Sequence, residues 1–67
     1  MDIRERVGRN LRRLRLQKGW SQEEFADRAG LHRTYVSGIE RGVRNPTVTI
    51  LDQLAATLKV SVAELVE

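Results

Sequence analysis

Residues 22–41, QEEFADRAGLHRTYVSGIER, constrain the fold more than any other part of the chain. Phe25, Ala26, Ala29, Leu31, Val36 and Ile39 fall where two short amphipathic helices, meeting at a turn, would each bury one face. Gly30 tolerates the positive φ that such a turn needs, and Ala26 is small enough to sit where the two helices touch. On the second helix, Val36 and Ile39 lie on one side, and Thr34, Ser37, Gly38 and Arg41 group roughly opposite. Arg33 stands at the first turn, and the outward set contains no acid. A helix pinned by its inner face, with a short, polar, basic outer face, is the layout that enters a DNA major groove.

The remaining elements are also helical, because no segment alternates well enough to be a strand. The spacing predicts a first helix over about Asp2 to Lys18, with an apolar stripe of Ile3, Val7, Leu11 and Leu14 and a cap at Gly19. Ser21 and Glu24 form a capping box for the second helix, and Trp20 precedes it as a staple. The third helix is expected over about His32 to Arg41, stopped by Gly42. Pro46 breaks the pattern. Thr47 then caps a fourth helix with Leu51, Leu54, Ala55 and Leu58 on its stripe. Ser61 and Glu64 box a short fifth helix carrying Val62, Leu65 and Val66. The expectation is one all-α domain over residues 1–67, a compact five-helix bundle containing a helix-turn-helix.

Sixty-seven residues lie near the lower size limit for folding without a staple. With no Cys and only His32, neither a disulfide framework nor a metal site is expected, and no cofactor. One His and no carboxylate cluster on a common face argue against an enzyme. No apolar run approaches membrane-spanning length and no signal-type segment begins the chain, so a cytoplasmic protein without a membrane partner is expected. Net charge is +3, unevenly spread. Residues 1–20 carry a local +5 and Arg41 with Arg44 a second positive patch, as phosphate contact would require. A solvated outer face on the first helix is the competing reading of its arginines.

The strings GWSQEEFADRAGLHRTYVSGIERG and VRNPT resemble the lambda-repressor-like, Cro/Xre-type helix-turn-helix family over essentially the full chain. The HRTY-x-S-x-IERG-x-RNP string is most similar to the controller proteins of restriction–modification systems. The resemblance implies a small five-helix bundle whose third helix reads DNA. Arg33 is then the first candidate for base readout, its guanidinium able to bind guanine O6 and N7, with a phosphate contact or surface ion pair as the alternative. Thr34 offers a methyl for thymine or a hydroxyl for a base edge or phosphate, and the Ser37 hydroxyl is a weaker candidate for such contacts. Gly38 reads no base and is expected to let the helix approach the groove. Ser21, Gln22, His32, Tyr35, Arg41, Arg44 and Asn45 are assigned to the DNA backbone, with the start of the second helix favouring an anion. Arg15 and Glu40 occupy the positions of a buried pair that orients the third helix.

One such domain covers a single half-site, so a homodimer on a palindromic operator is implied. Val60, Val62, Leu65 and Val66 either form that dimer contact with the fourth helix or close the monomer core. The expected function is sequence-specific, double-stranded DNA-binding transcriptional regulation with residues 32–41 in the major groove. The alternative is an antitoxin or adaptor-type interaction module acting through the C-terminal helices. No ligand domain is evident, so no small-molecule ligand is expected. The Met1 start and the lack of a trailing linker favour a whole protein.

Overall fold

A computed structural model describes all residues, 1–67. Five helices follow in order: α1 Ile3–Gln17, α2 Gln22–Ala29, α3 Arg33–Glu40, α4 Val48–Leu58 and α5 Val62–Val66. No helix is long and apolar enough to cross a membrane. Four starts are fixed by side chains of the residue before them. Asp2 accepts from the Arg4 N–H at 2.7 Å, Ser21 from Glu24, Thr47 from Ile50 and Ser61 from Glu64. Each satisfies an amide that the first turn leaves without an intrahelical partner. Only half of the Ser21 box forms, because the Glu24 carboxylate turns instead to Arg28, four residues on, at 2.9 Å. Trp20 completes the staple by stacking on Phe25, with ring centroids 5.9 Å apart. The α2–α3 turn closes at Gly30, which has φ 72°, a left-handed conformation that costs glycine little.

The core is one cluster: Val7, Leu11 and Leu14 of α1, Phe25, Ala26 and Ala29 of α2, Val36 and Ile39 of α3, Leu54, Ala55 and Leu58 of α4, and Leu65 of α5. Ile3, expected on the α1 stripe, is 45% exposed, as the first residue of the helix. Leu65 has no exposed surface. This corrects its expected availability for a dimer contact: it closes the monomer core. Val60, Val62 and Val66 pack against that core but stay partly open. The α4 stop has no glycine. Lys59 takes it with φ 60°, a left-handed conformation that L side chains enter at a cost.

Two features fix α1 to the rest. Gly8 lies against the end of α3, where an added Cβ would collide with the Ile39 carbonyl oxygen and lie 2.7 Å from that of Glu40. On the α5 side, Arg6 Nε donates to the Val66 carbonyl at 2.9 Å, and Asn10 Nδ2 donates to those of Leu65 and Glu67. α1 therefore bridges α3 and α5. Gln53 of α4 similarly donates to the Ala29 carbonyl at the end of α2.

Candidate nucleic-acid interface

The third helix is held from behind by a buried polar clamp. Arg15 meets Glu40 in a two-bond fork, Nε to Oε2 at 2.7 Å and Nη2 to Oε1 at 3.0 Å. The two side chains are only 7% and 3% exposed. The remaining arm of Arg15 donates to the Trp20 carbonyl at 2.8 Å, and Gln22 Nε2 donates to Glu40 Oε1 at 3.1 Å. Every buried side-chain polar atom in the molecule has a partner, as a low-dielectric site demands. The clamp joins α1, the Trp20 loop, α2 and the last residue of α3, so it sets both the position and the tilt of α3. Gln22 was expected on the phosphate backbone. One of its two amide N–H groups goes to Glu40 instead.

The front of α3 is open in its first turn. His32, Arg33 and Thr34 are exposed, and none of the three ion pairs in the molecule includes Arg33. The surface ion-pair alternative for Arg33 is therefore not formed. His32 precedes the helix but makes no side-chain cap bond, unlike the residues before the other four helices. The start of α2, where an anion is expected, is already capped and carries acids. There Ser21 Oγ accepts from Glu24, and Glu23 and Glu24 add negative charge.

The second turn of α3 differs. Gly38, expected to face outward, is buried. Its carbonyl accepts from the N–H groups of Val43 and Arg44 at 3.0 and 3.2 Å. A Cβ built on it would lie 2.5 Å from Arg44 Cγ. The correction has a simple cause: the 41–46 loop folds back, and the Arg44 stem covers the space that a side chain at 38 would fill. The Arg44 guanidinium then sits over the Tyr35 ring, 5.5 Å from its centroid. Sequence spacing could not reveal this contact, since it depends on the path of the loop after Gly42. Ser37 is half-buried, and Arg41, whose Nε donates to the Ser37 carbonyl, and Asn45 are exposed. The structure thus gathers Arg33, Thr34, Ser37, Arg41 and Arg44 on α3 and the loop directly following it.

The +5 charge of residues 1–20 does not form one surface. Arg15 lies in the clamp, Arg6 ties down α5, and Arg4 pairs with Asp2 at 3.1 Å. Arg9, Arg12 and Arg13 line an open groove of about 800 Å³ beside Met1, Leu16 and Glu67.

A helix-turn-helix family model matches residues 11–65. The chain belongs to the Cro/Xre-type helix-turn-helix family. It is 53% identical over 66 residues to the uncharacterized HTH-type transcriptional regulator y4dJ of Sinorhizobium fredii, covering 98% of this chain and 86% of that protein. The crystal structure of a hypothetical transcription factor from Neisseria superposes with a TM-score of 0.95 at 42% identity. That match covers 98% of this chain and 76% of the crystallised one, and the sequence match spans 60% of the full Neisseria protein. The controller protein C.AhdI of Aeromonas hydrophila gives 0.89 at 44% identity, covering 92% and 94%. SinR, solved in complex with DNA and found in Bacillus subtilis, gives 0.87 at 37%, covering 91% and 98% of the two chains but 56% of full-length SinR. The five-helix, all-α architecture read from the sequence is the architecture of these relatives, and controller proteins are among them.

Proposed function

We propose that this chain is a sequence-specific, double-stranded DNA-binding transcriptional regulator that places α3 in the major groove. The observation carrying this reading is the asymmetry of α3: its rear is locked by Arg15, Glu40 and Gln22, while Arg33 and Thr34 stand exposed and unpaired in front. A rigid helix with a free first turn is what end-on base readout needs. In this reading Arg33 binds guanine O6 and N7, and Thr34 and Ser37 add contacts at neighbouring bases. Ser21, His32, Tyr35, Arg41, Arg44, Asn45 and the second N–H of Gln22 meet the phosphate backbone. Those contacts set register without reading sequence.

So few base contacts specify a site poorly, so the domain acts as a homodimer on a palindrome, with regulation in the cytoplasm governed by its own concentration. Residues 1–67 form one DNA-binding domain, and Val60, Val62 and Val66 supply the partner-facing apolar surface. The test is selection of binding sites from random duplex DNA, followed by mass measurement of the complex on the winning sequence. An inverted repeat holding two chains is expected. Failure to enrich any sequence would overturn the regulator reading, and a single chain on an asymmetric site would overturn the dimer.

A further inference from the structure

We infer that Gly38 and Tyr35 form a built seat for Arg44, making this loop arginine a fixed part of the DNA-facing unit. The inference rests on the regulator reading above and assigns Gly38 a positioning role rather than a base-facing one.

Three independent observations meet at this point. The loop is first anchored by backbone: the Gly38 carbonyl accepts two N–H groups, those of Val43 and Arg44. These bonds end α3 and bring the chain back across its second turn. The stem of Arg44 then lies on Gly38, where a Cβ would be 2.5 Å from Cγ and 3.5 Å from Cδ. Real Cβ contacts are essentially never shorter than 3.0 Å, so even alanine must displace the stem. The head of Arg44 finally lies over the Tyr35 ring, one turn toward the start of the same helix. Tyr35 and Gly38 are three residues apart, so both lie on one flank of α3, and Arg44 runs along that flank.

The arrangement explains a glycine that helix propensity alone disfavours. An interior glycine costs a helix stability relative to alanine, and Gly38 has no positive φ to justify it. What it supplies is space. An arginine free in solvent must lose its rotamer freedom on meeting phosphate. Arg44, held by stem and head beforehand, has less to lose and presents its charge at a constant offset from Arg33.

The test compares Gly38→Ala, Arg44→Ala and the double variant on the selected DNA, with Arg44 side-chain proton shifts and Tm recorded for each. Gly38→Ala is expected to stay folded with a modestly lowered Tm, since the displaced Cγ is the root of the Arg44 side chain and the loop carrying it is bonded to the Gly38 carbonyl. It is expected to weaken DNA binding severalfold, less than the roughly tenfold loss in Arg44→Ala, because the displaced arginine keeps the charge whose hydrogen bond Arg44→Ala removes. The double variant should bind no more weakly than Arg44→Ala alone. The upfield shifts that the Tyr35 ring gives the Arg44 side-chain protons should disappear in Gly38→Ala. Additive losses or unchanged Arg44 shifts would each overturn the seat. Should the parent select no DNA, the regulator reading fails separately, and the proton shifts alone then judge the seat.

Discussion

The two turns of α3 are built for opposite purposes. The first turn carries Arg33 and Thr34, exposed and without intramolecular partners, behind a start that no side chain caps. The second is occupied by the protein itself, with Gly38 under Arg44 and Glu40 inside the clamp. Arg33 and Thr34 are therefore free to meet a ligand, while Val36, Gly38, Ile39 and Glu40 are committed to holding the helix still. Precision in a recognition helix comes from this division, because a reader that is not held firmly pays for each contact in lost freedom.

The largest effect should come from the committed half. Glu40→Ala leaves the Arg15 guanidinium buried without its carboxylate and strands the Gln22 amide. A loss of about 3–5 kcal/mol is expected in urea unfolding, the usual cost of breaking a buried pair from one side. In so small a domain that is a large share of total stability. A loss below about 1 kcal/mol, the range of an exposed pair such as Glu24–Arg28, would erase the contrast between the two turns.

Arg33→Ala tests the free half. It should leave the unfolding curve unchanged and reduce discrimination at one base position by about 1–3 kcal/mol, read from competition binding with single-base variants. If melting fell along with specificity, Arg33 would have a structural partner and the first turn would not be free.

Lys59→Gly lies outside α3 altogether. Glycine relieves the left-handed strain at the end of α4 but adds entropy to the unfolded chain, so a gain of up to about 1 kcal/mol is expected. DNA affinity should not change. A shift in affinity would mean that the α4–α5 junction and α3 are coupled.

The smallest effect is at the opposite end of the chain. The Arg4 guanidinium and backbone N–H hold the Asp2 carboxyl below its ordinary range, and Asp2 in turn raises Arg4. A depressed folded-state value means that the cap stabilises α1 when ionised and that this support is lost as pH falls through the folded value. Amide exchange in the first turn of α1 should therefore quicken on acidification while α3 stays protected. Equal loosening in both helices would show that the cap acts beyond its own turn.

Much of this was legible from local pattern. The stops at Gly19, Gly30 and Gly42, the caps at Ser21, Thr47 and Ser61, and the stripes that became the core follow from periodicity and turn chemistry within a few residues. The joining of Arg15 to Glu40, 25 residues apart, was accessible only through family resemblance. Gly8 escaped notice because a glycine in mid-helix looks like a weakness until a second backbone is seen pressed against it. Val60, Val62, Leu65 and Val66 read as equivalent in the sequence, yet Leu65 alone turned fully inward.

The sequence by itself determined which segments are helices, where they start and stop, and which faces are apolar, since those depend on interactions between near neighbours. Tertiary structure decided which arginine does what. Ten arginines carry the same charge on paper. Packing put one in a buried clamp, one on the Val66 carbonyl of α5 and one across Gly38, and left Arg33 in front with nothing to hold. Charge reaches as far as the fold brings it, and only the fold sets that distance.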